Sequence, residues 1–397
     1  MKTRFSFQYF ALFALLGTIA PYMQRFLRAK GFSEAENGAL LGVMALGACG
    51  PAFLGALADR VGRKRTMVVC TLLAAALLPV LAATDSPWLA AGLLLGIGLT
   101  TAMFIPLTDT LAANELPDPA HTYGRVRIWG SVGFVLVLAA AGGSGLIDEQ
   151  SPKSMLTAML LGAGLFVATS LGTPDRRRHS PDSQPAARGT HFDAVFYLFL
   201  FVGAMHQLGM SAHYSFFTNY AADVLKLPRG AWTWAIGSAA EIPFLFLGGW
   251  FVRKMGIGAM LFFASLAVTV RIGTYALFPF AAVALPIQVL HAPVFGLRHA
   301  ASIEFLRRKV PPGRRGLAMA LYMSLAISLP LWVGSTAGGL ILKYAGYTTL
   351  YGAYALAPLL GAVGVLAAGK RFNVPPVAEE GEKVNAISDA QITEPPA

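Results

Sequence analysis

The sequence has little charge for its length. Asp, Glu, Lys and Arg together make up 13% of its 397 residues, whereas a soluble domain carries about 25%. Hydrophobic residues make up 55% of the chain, and they fall in runs of about 20 residues, the length of a helix that spans the hydrocarbon of a bilayer. The composition therefore excludes an ordinary soluble protein and predicts a membrane protein with many helices.

Cysteine is also scarce, and neither copy belongs to a redox or metal motif. Cys49 and Cys70 lie inside apolar runs, so we interpret them as small core residues. No G-x-x-x-x-G-K-[ST] loop is present, which argues against ATP as the energy source. No group of His, Cys, Asp and Glu has the spacing of metal ligands. We expect no metal, no cofactor and no enzymatic activity.

The net charge of +11 does not indicate a nucleic-acid partner, because the basic residues do not form one patch. They lie in the connectors between apolar runs, and most of them fall on one side. The positive-inside rule then places both termini and the central linker in the cytoplasm. We predict a multi-pass protein of a bacterial-type inner membrane, with the lipid bilayer, protons and a small-molecule substrate as its partners. We expect a monomer, although no residue pattern determines the oligomeric state.

The apolar runs predict twelve transmembrane helices, with ends uncertain by several residues. They cover 5–27, 35–58, 67–84, 88–112, 125–147, 153–172, 193–222, 230–252, 258–277, 280–305, 316–342 and 348–370. A polar cytoplasmic linker, 173–191, separates a six-helix half, 1–172, from a second six-helix half, 192–370. The segment 371–397 lacks periodicity and is predicted to be a disordered tail.

A short basic turn joins the second and third predicted helices. Residues 55–65 read G-A-L-A-D-R-V-G-R-K-R. Residues 249–256 align with 55–62, with a glycine at both ends, and place Arg253 where the first copy has Asp59. The repeat predicts two pseudo-symmetric halves related by an axis along the membrane normal.

This turn resembles the G-x-L-x-D-R-x-G-R-K signature of the major facilitator superfamily. Other stretches resemble its branch of phenylpropionate permease and relatives near lactose permease; they are 106–109, 123–131, 240–242, Arg271, 288–291 and 299–301. The resemblance implies an all-α membrane protein with the twelve-helix major facilitator fold. It also implies proton-coupled uptake of small solutes such as organic acids or sugars.

The turn also suggests a gating hypothesis. Asp59 would pair with a basic or N-terminal partner in one transport state only, and Gly62 would permit the tight turn. Because the second copy has Arg253 in place of Asp59, only the first half would carry this gate. The predicted gating residues are Gly55, Asp59, Arg60, Gly62 and Arg63.

Three ionisable residues lie deep in consecutive predicted helices, namely Glu241, Arg271 and His291. A charged side chain at the bilayer centre costs about 2.5–3.5 kcal/mol on insertion scales, so each one needs a reason. A carboxyl near a histidine and an arginine has two protonation states that a substrate can bias. Lactose permease is similar in placing such groups in its helices 8 to 10. We predict that these residues couple transport to protons; the alternative is a structural ion pair between helices.

The candidate substrate-binding residues lie in the predicted helices 193–222 and 280–305. They are His206, His213, Tyr214, Gln288, Arg298 and His299. His206 and His213 share one helical face, and Gln288, Arg298 and His299 belong to a polar stripe. The alternatives are packing in the core for the histidines and pairing with another helix for Arg298.

The predicted function is secondary active transport by alternating access, in which protons drive uptake of a small organic solute such as an aromatic or other carboxylate. A proton-driven efflux antiporter of the same fold is one alternative, and a non-transporting sensor on a transporter scaffold is another. The predicted helix 125–147 lacks the Gly-Pro pair that antiporters of the superfamily usually carry, which disfavours export. The sequence does not identify the substrate.

Overall fold

The structure is a computed structural model that describes residues 1–117, 119–175 and 191–373. Within these ranges the regular secondary structure is helical, and no strand occurs. The predicted all-α fold class is therefore confirmed for the described part of the chain. The predicted linker 173–191 and the predicted tail 371–397 fall largely outside the described residues.

The α-helices of the described ranges follow one another with short connections. They are α1 (Lys2–Ala29), α2 (Glu34–Leu46), α3 (Gly50–Val61), α4 (Arg63–Ala83), α5 (Pro87–Thr101), α6 (Phe104–Glu115), α7 (Pro119–Leu136), α8 (Pro152–Leu171), α9 (Ala194–Asp223), α10 (Trp234–Leu277), α11 (Ala281–Ala284), α12 (His291–Lys309), α13 (Arg315–Leu321) and α14 (Leu329–Ala368). Short 3-10 or π segments join some of them; these are Gly47–Cys49, Val137–Gly142, Ala231–Thr233, Pro286–Leu290, Pro312–Arg314, Tyr322–Ser328 and Gly369–Phe372.

Glycines make the sharp bends between and within these helices. Gly62 separates α3 from α4 with φ of 111°, Gly256 bends α10 with φ of 76°, and Gly346 bends α14 with φ of 77°. Glycine adopts a positive φ without the steric penalty of a Cβ atom. As a result, α10 and α14 are each two helices joined at a turn. The two glycines aligned by the sequence repeat, Gly62 and Gly256, both make such a turn.

By length and composition, nine helices in the described residues are able to cross a membrane. One of these spans, Pro312–Phe372, is 61 residues long and contains the bend at Gly346. It therefore includes both of the predicted helices 316–342 and 348–370. The number of twelve crossings stays a prediction.

Local caps begin several of the helices. The Ser33 hydroxyl accepts from the Glu36 backbone N–H and the Glu36 carboxylate accepts from Ser33 N–H, which is a capping box at the start of α2. Asp193 caps α9 by accepting from Phe196 N–H at 3.0 Å, and it also pairs with Lys309. Partial burial alone would raise the pKa of Asp193, but the Lys309 ammonium and the backbone N–H groups hold it below its ordinary value.

The helix ends gather at two ends of the molecule. The terminal end carries the N-terminus, the turn at Gly62 and the segment 310–314; the distal end carries the connectors 30–33, 84–86, 143–151 and 224–233. At the terminal end, Arg4 donates to Gly172 O at 3.3 Å. At the distal end, Lys30 donates to Asp85 at 2.9 Å.

The hydrophobic core is continuous across the halves only toward the distal end. One cluster of buried side chains includes residues of the first half together with the distal parts of α9, α10 and α14. A second cluster lies wholly in the terminal part of the second half, where Phe199 stacks on Phe305 with ring centroids 4.3 Å apart. The two halves are therefore packed together at the distal end, while at the terminal end the second half has a core of its own.

A close crossing of α2 and α14 contributes to this distal packing. A Cβ atom added to Gly38 would lie 2.4 Å from Ser335 O, and one added to Gly339 would lie 2.6 Å from Glu34 O. Both distances are too short for any side chain, so glycine allows the two backbones to touch. This is the small-residue packing that membrane helices use.

Candidate functional site

A buried arginine organises the largest polar cluster of the second half. Arg271 lies in the second segment of α10 and is 1% exposed. Its Nη1 donates to His291 Nδ1 at 2.9 Å, its Nη2 lies 3.1 Å from His213 Nε2, and its Nε donates to Tyr275 Oη at 3.1 Å. Its Nη2 also donates to Gln288 Oε1. The guanidinium is thus bonded to side chains from α9, α10, α12 and the segment Pro286–Leu290.

The cluster reaches a carboxylate through His291. Glu241, in the first segment of α10, places Oε1 2.5 Å from His291 Nε2. Each of these two side chains is 13% exposed. Gly237 lets α10 and α12 approach here, because a Cβ added to it would lie only 3.0 Å from His291 Cβ. Among the described residues, no carboxylate lies within ion-pair distance of Arg271 itself.

The hydrogen bonds determine which imidazole nitrogen carries the proton. An arginine can only donate, so His291 Nδ1 must be the acceptor of its bond to Arg271. The proton of the neutral ring is then on Nε2, where it points to the Glu241 carboxylate. The geometry therefore forms a chain in which Arg271 donates to His291 and His291 donates to Glu241.

The predicted coupling residues are accordingly neighbours in space, as their positions in consecutive helices suggested. Two predicted substrate-binding residues also belong to this network, since His213 and Gln288 both bond to Arg271. They are 1% and 0% exposed, respectively. Their roles in coupling or binding stay predictions.

The other predicted substrate-binding residues lie in three different surroundings. His206 and Arg298 line a small enclosed cavity between α9, α10 and α12. His299 is exposed, and its ring lies parallel to that of Phe295, with centroids 5.6 Å apart and an interplanar angle of 4°. Tyr214 packs near Trp234 at a centroid distance of 6.1 Å.

The buried polar groups of the first half make different contacts from those of the Arg271 cluster. Tyr9 Oη donates to Asp109 at 2.6 Å. The Arg127 guanidinium lies over the Phe13 ring at 4.1 Å. Asp109 and Arg127 are also within electrostatic range of His299, so these residues of the two halves face a common region.

The predicted gating turn is held to the end of α8. Asp59 pairs with Arg63 within the turn at 3.0 Å. Lys64 Nζ donates to Leu171 O at 2.6 Å and to Thr173 O at 2.8 Å. Gly62 makes the bend, as predicted, while Arg60 is exposed and Gly55 is partly buried. The gating role of these residues stays a prediction.

Sequence reasoning did not identify the contacts that join the halves at the distal end. Glu149 is 3% exposed and accepts from the backbone N–H groups of Gly230 at 2.9 Å and Ala231 at 2.8 Å. Arg25 lies 3.7 Å from it. Burial raises the pKa of the Glu149 carboxyl, and the two N–H groups and Arg25 act against that rise.

A glutamine adds to this distal junction. Gln24 Oε1 accepts from the backbone N–H groups of Thr218 at 2.9 Å and Asn219 at 3.2 Å. Arg28 of α1 pairs with Asp223 of α9. These are contacts of single side chains with residues about 190 positions away, and no periodicity or motif in the sequence indicates them.

Comparison with known proteins agrees with the helical architecture. A family model described as "MFS_1 like family" matches residues 2–353. The chain belongs to this family. Its resemblance to the major facilitator superfamily, inferred from the turn at 55–65, is confirmed.

Relatives cover nearly the whole chain. The maltose permease of Geobacillus stearothermophilus is 26% identical over 93% of this chain and 95% of its own length. A protein named "Probable 3-phenylpropionic acid transporter" from Escherichia coli (strain K12) is 25% identical over 85% of this chain and 90% of its own length. The xanthosine permease of the same strain is 23% identical, over 87% of each chain.

Solved structures show the same fold. The crystal structure of the nucleoside transporter NupG superposes with a TM-score of 0.73 at 18% identity and covers 92% of this chain and 98% of its own. A peptide transporter POT in complex with sulfate superposes with a TM-score of 0.73 at 15% identity, covering 94% of each chain. The protein is a multi-pass membrane transporter of a small molecule and not an enzyme, as the sequence predicted.

Proposed function

We propose that the protein is a proton-coupled symporter that takes up a small organic solute by alternating access. The hydrogen-bonded chain from Arg271 through His291 to Glu241 is the observation that carries this proposal. The protein would lie in the inner membrane as a monomer with both termini in the cytoplasm. Alternating access then moves the solute between the distal and terminal ends.

The coupling follows from the single acceptor site on His291. Nδ1 cannot bind a proton while it accepts from Arg271, because the same lone pair serves both. A proton that arrives at this nitrogen must therefore displace the Arg271 guanidinium. A proton on Glu241 makes the carboxyl a donor to His291 Nε2. The neutral ring can accept there only as the tautomer with its own proton on Nδ1, and that tautomer no longer accepts from Arg271. Either event frees Arg271 to interact with a substrate or with another helix.

The packing supports an alternating-access cycle. The halves share a core and hydrogen bonds at the distal end, where Glu149 and Gln24 bind backbone groups of the other half. At the terminal end the second half has its own core. We assign this structure to the distal-closed state, and the opposite state requires those distal bonds to break.

The solute that the site favours is a small ring-bearing or carboxylate compound. Phe295 and the exposed His299 offer parallel rings, and base or ring stacking on aromatic side chains is a common source of affinity. Two relatives are named for solutes that contain a ring, 3-phenylpropionic acid and xanthosine, which supports this choice. Because another relative is named maltose permease, the experiment below also includes a sugar.

The test is uptake into proteoliposomes with labelled 3-phenylpropionate, xanthosine and maltose. In the wild-type protein, an alkaline interior should drive accumulation of one of them. Glu241→Gln should abolish accumulation but retain exchange of internal for external solute, because only the proton-binding step is lost. Glu304→Gln is the matched control, since Glu304 bonds to Arg307 and Arg308 outside the cluster.

Full accumulation by Glu241→Gln would remove this carboxyl from the coupling mechanism. The direction of transport is tested in the same vesicles by reversing the pH gradient. Solute movement against the proton flux would identify a proton-driven exporter and overturn the proposal of uptake. Absence of any flux with all three solutes would overturn the proposed solute class.

A further inference from the structure

We infer that a small inorganic anion such as chloride binds inside the second half, in the enclosed cavity next to Arg298. The cavity is lined by Phe199, Val202, Gly203, His206, Leu261, Ser265, Arg298 and Ser302. It lies between α9, the second segment of α10 and α12, apart from the Arg271 network. This inference does not depend on which solute the protein transports.

The lining is rich in hydrogen-bond donors. Ser265 is 1% exposed, and His206 and Ser302 are each 2% exposed. Ser302 Oγ accepts from Tyr322 Oη at 3.2 Å, so its own proton is free to point into the cavity. None of the lining side chains is a carboxylate. The cavity therefore presents hydrogen-bond donors and no negatively charged group.

Two of its polar atoms lack a partner. Ser265 Oγ and Arg298 Nη1 are both buried and make no hydrogen bond within the described residues. A buried polar atom that is left unsatisfied costs about 1–3 kcal/mol, and more when it belongs to a charged group. Both atoms belong to residues that line the same cavity, so a single bound species can satisfy them.

The charge of Arg298 favours an anion over water as that species. No Asp or Glu among the described residues pairs with Arg298, although the chain crosses a membrane, where a charged side chain needs a partner. A neutral water would satisfy the hydrogen bonds and leave the positive charge uncompensated. A monovalent anion satisfies both requirements.

The size of the cavity limits the anion. The cavity has a volume of about 10 Å³, so it holds a species about as small as a single water molecule. A halide of slightly larger radius fits with a small outward shift of the hydroxyl groups. Phosphate, sulfate and organic acids are too large to be enclosed.

The experiment uses the full-length purified protein in detergent, in sodium chloride and in sodium gluconate of equal ionic strength. Gluconate is too large for the cavity. We expect a Tm about 2–4 °C higher in chloride, because a ligand that binds only the folded state stabilises it. Equilibrium dialysis with radioactive chloride should find one bound ion per chain.

Ser265→Ala is the decisive variant. Removing an unpaired buried hydroxyl is close to neutral for folding, but it deletes one ligand of the anion, so the chloride-dependent rise in Tm and the bound chloride should both fall. Ser170→Ala is the control, because Ser170 is also 1% exposed and donates to Phe166 O in the first half. Ser302→Ala should lower the bound chloride in the same way, but it should also lower the Tm in both salts, because the Tyr322 hydroxyl loses its acceptor.

Equal Tm values in the two salts together with no bound chloride would show that water fills the cavity, and would overturn the inference. A chloride effect that Ser265→Ala and Ser302→Ala leave unchanged would place the ion elsewhere and overturn it as well. Neither result bears on coupling through Glu241, which is tested by accumulation against exchange.

Discussion

Gly62 and Gly256 occupy matching places in the two halves, and each turns the chain with a positive φ. The side chains deeper in the membrane do not match in this way. In the second half, Arg271 is bonded to His291, His213 and Gln288. In the first half, Arg127 lies over the ring of Phe13.

The two halves can therefore share a backbone turn while their buried side chains make different contacts. A turn made by glycine depends on the backbone alone, so it persists in both copies. A buried hydrogen-bond network depends on every member, and a half-satisfied network is costly. Under the proposed function, the first half contributes packing and the distal bonds, while the second half contributes the groups that exchange protons.

The largest expected effect comes from the two arginines. Arg271→Gln removes the donor to His291, and we expect pH-driven uptake to fall by about 100-fold or more, because loss of one partner from a buried charged network costs about 3–5 kcal/mol. Arg127→Gln should reduce uptake by less than about 30-fold, since a cation–π contact contributes about 0.5–2 kcal/mol. The measurement is the initial rate in proteoliposomes.

Arg271→Lys sharpens the same comparison. Lysine keeps the charge but has no planar fork of donors, so it should fail to restore uptake. Equal losses in Arg271→Gln and Arg127→Gln would contradict the division of chemistry between the halves.

An intermediate effect is expected at the distal junction. Glu149→Ala removes the acceptor of the Gly230 and Ala231 N–H groups and leaves two buried donors unpaired, at about 1–3 kcal/mol each. The distal-closed state should lose about 10-fold or more of its population. Spin labels at Leu146 and Tyr344, which are 81% and 77% exposed, should move apart on average.

Lys153→Ala serves as the control for that experiment, because Lys153 is an exposed residue at the same end and makes no half-to-half hydrogen bond among the described contacts. An unchanged distance distribution in Glu149→Ala would show that the carboxylate does not hold the halves together.

The smallest effect is expected at the two repeated turns. Gly62→Ala and Gly256→Ala each force a Cβ atom into an extended positive-φ conformation that is almost confined to glycine, which costs about 1–3 kcal/mol. Gly256→Ala should be the more destabilising of the two, because its Cβ would also lie 2.8 Å from Asn373 Oδ1. The Tm of each purified variant checks this order, and a Tm unchanged in both would argue against backbone strain at the turns.

Much of the fold could be predicted from the sequence. Apolar runs of about 20 residues determine helices in a membrane because lipid offers no hydrogen bonds to an open backbone. The runs predicted which parts of the chain are helical, but the structure divides them differently. The predicted helices 35–58 and 88–112 are each broken in two, and α10 and α14 each join parts of two predicted helices. The glycines at 62 and 256 marked turns because their conformational freedom is a local property.

The site was predictable only in part. Buried ionisable residues are rare enough in a membrane helix that Glu241, Arg271 and His291 stood out, and their consecutive helices made contact possible. The sequence did not show that His213 and Gln288 bond to the same guanidinium, nor that His206 and Arg298 share a separate cavity. Helical periodicity predicts which side of a helix a residue occupies, but not which neighbouring helix that side packs against.

The sequence by itself therefore determined the class of protein, the helices, the turns and the residues that need a polar partner, because each of these follows from local composition and spacing. Only the tertiary structure decided the partners: His291 between Arg271 and Glu241, and Glu149 against the backbone of the other half. Those pairings depend on how distant helices pack, and packing is a property of the whole chain.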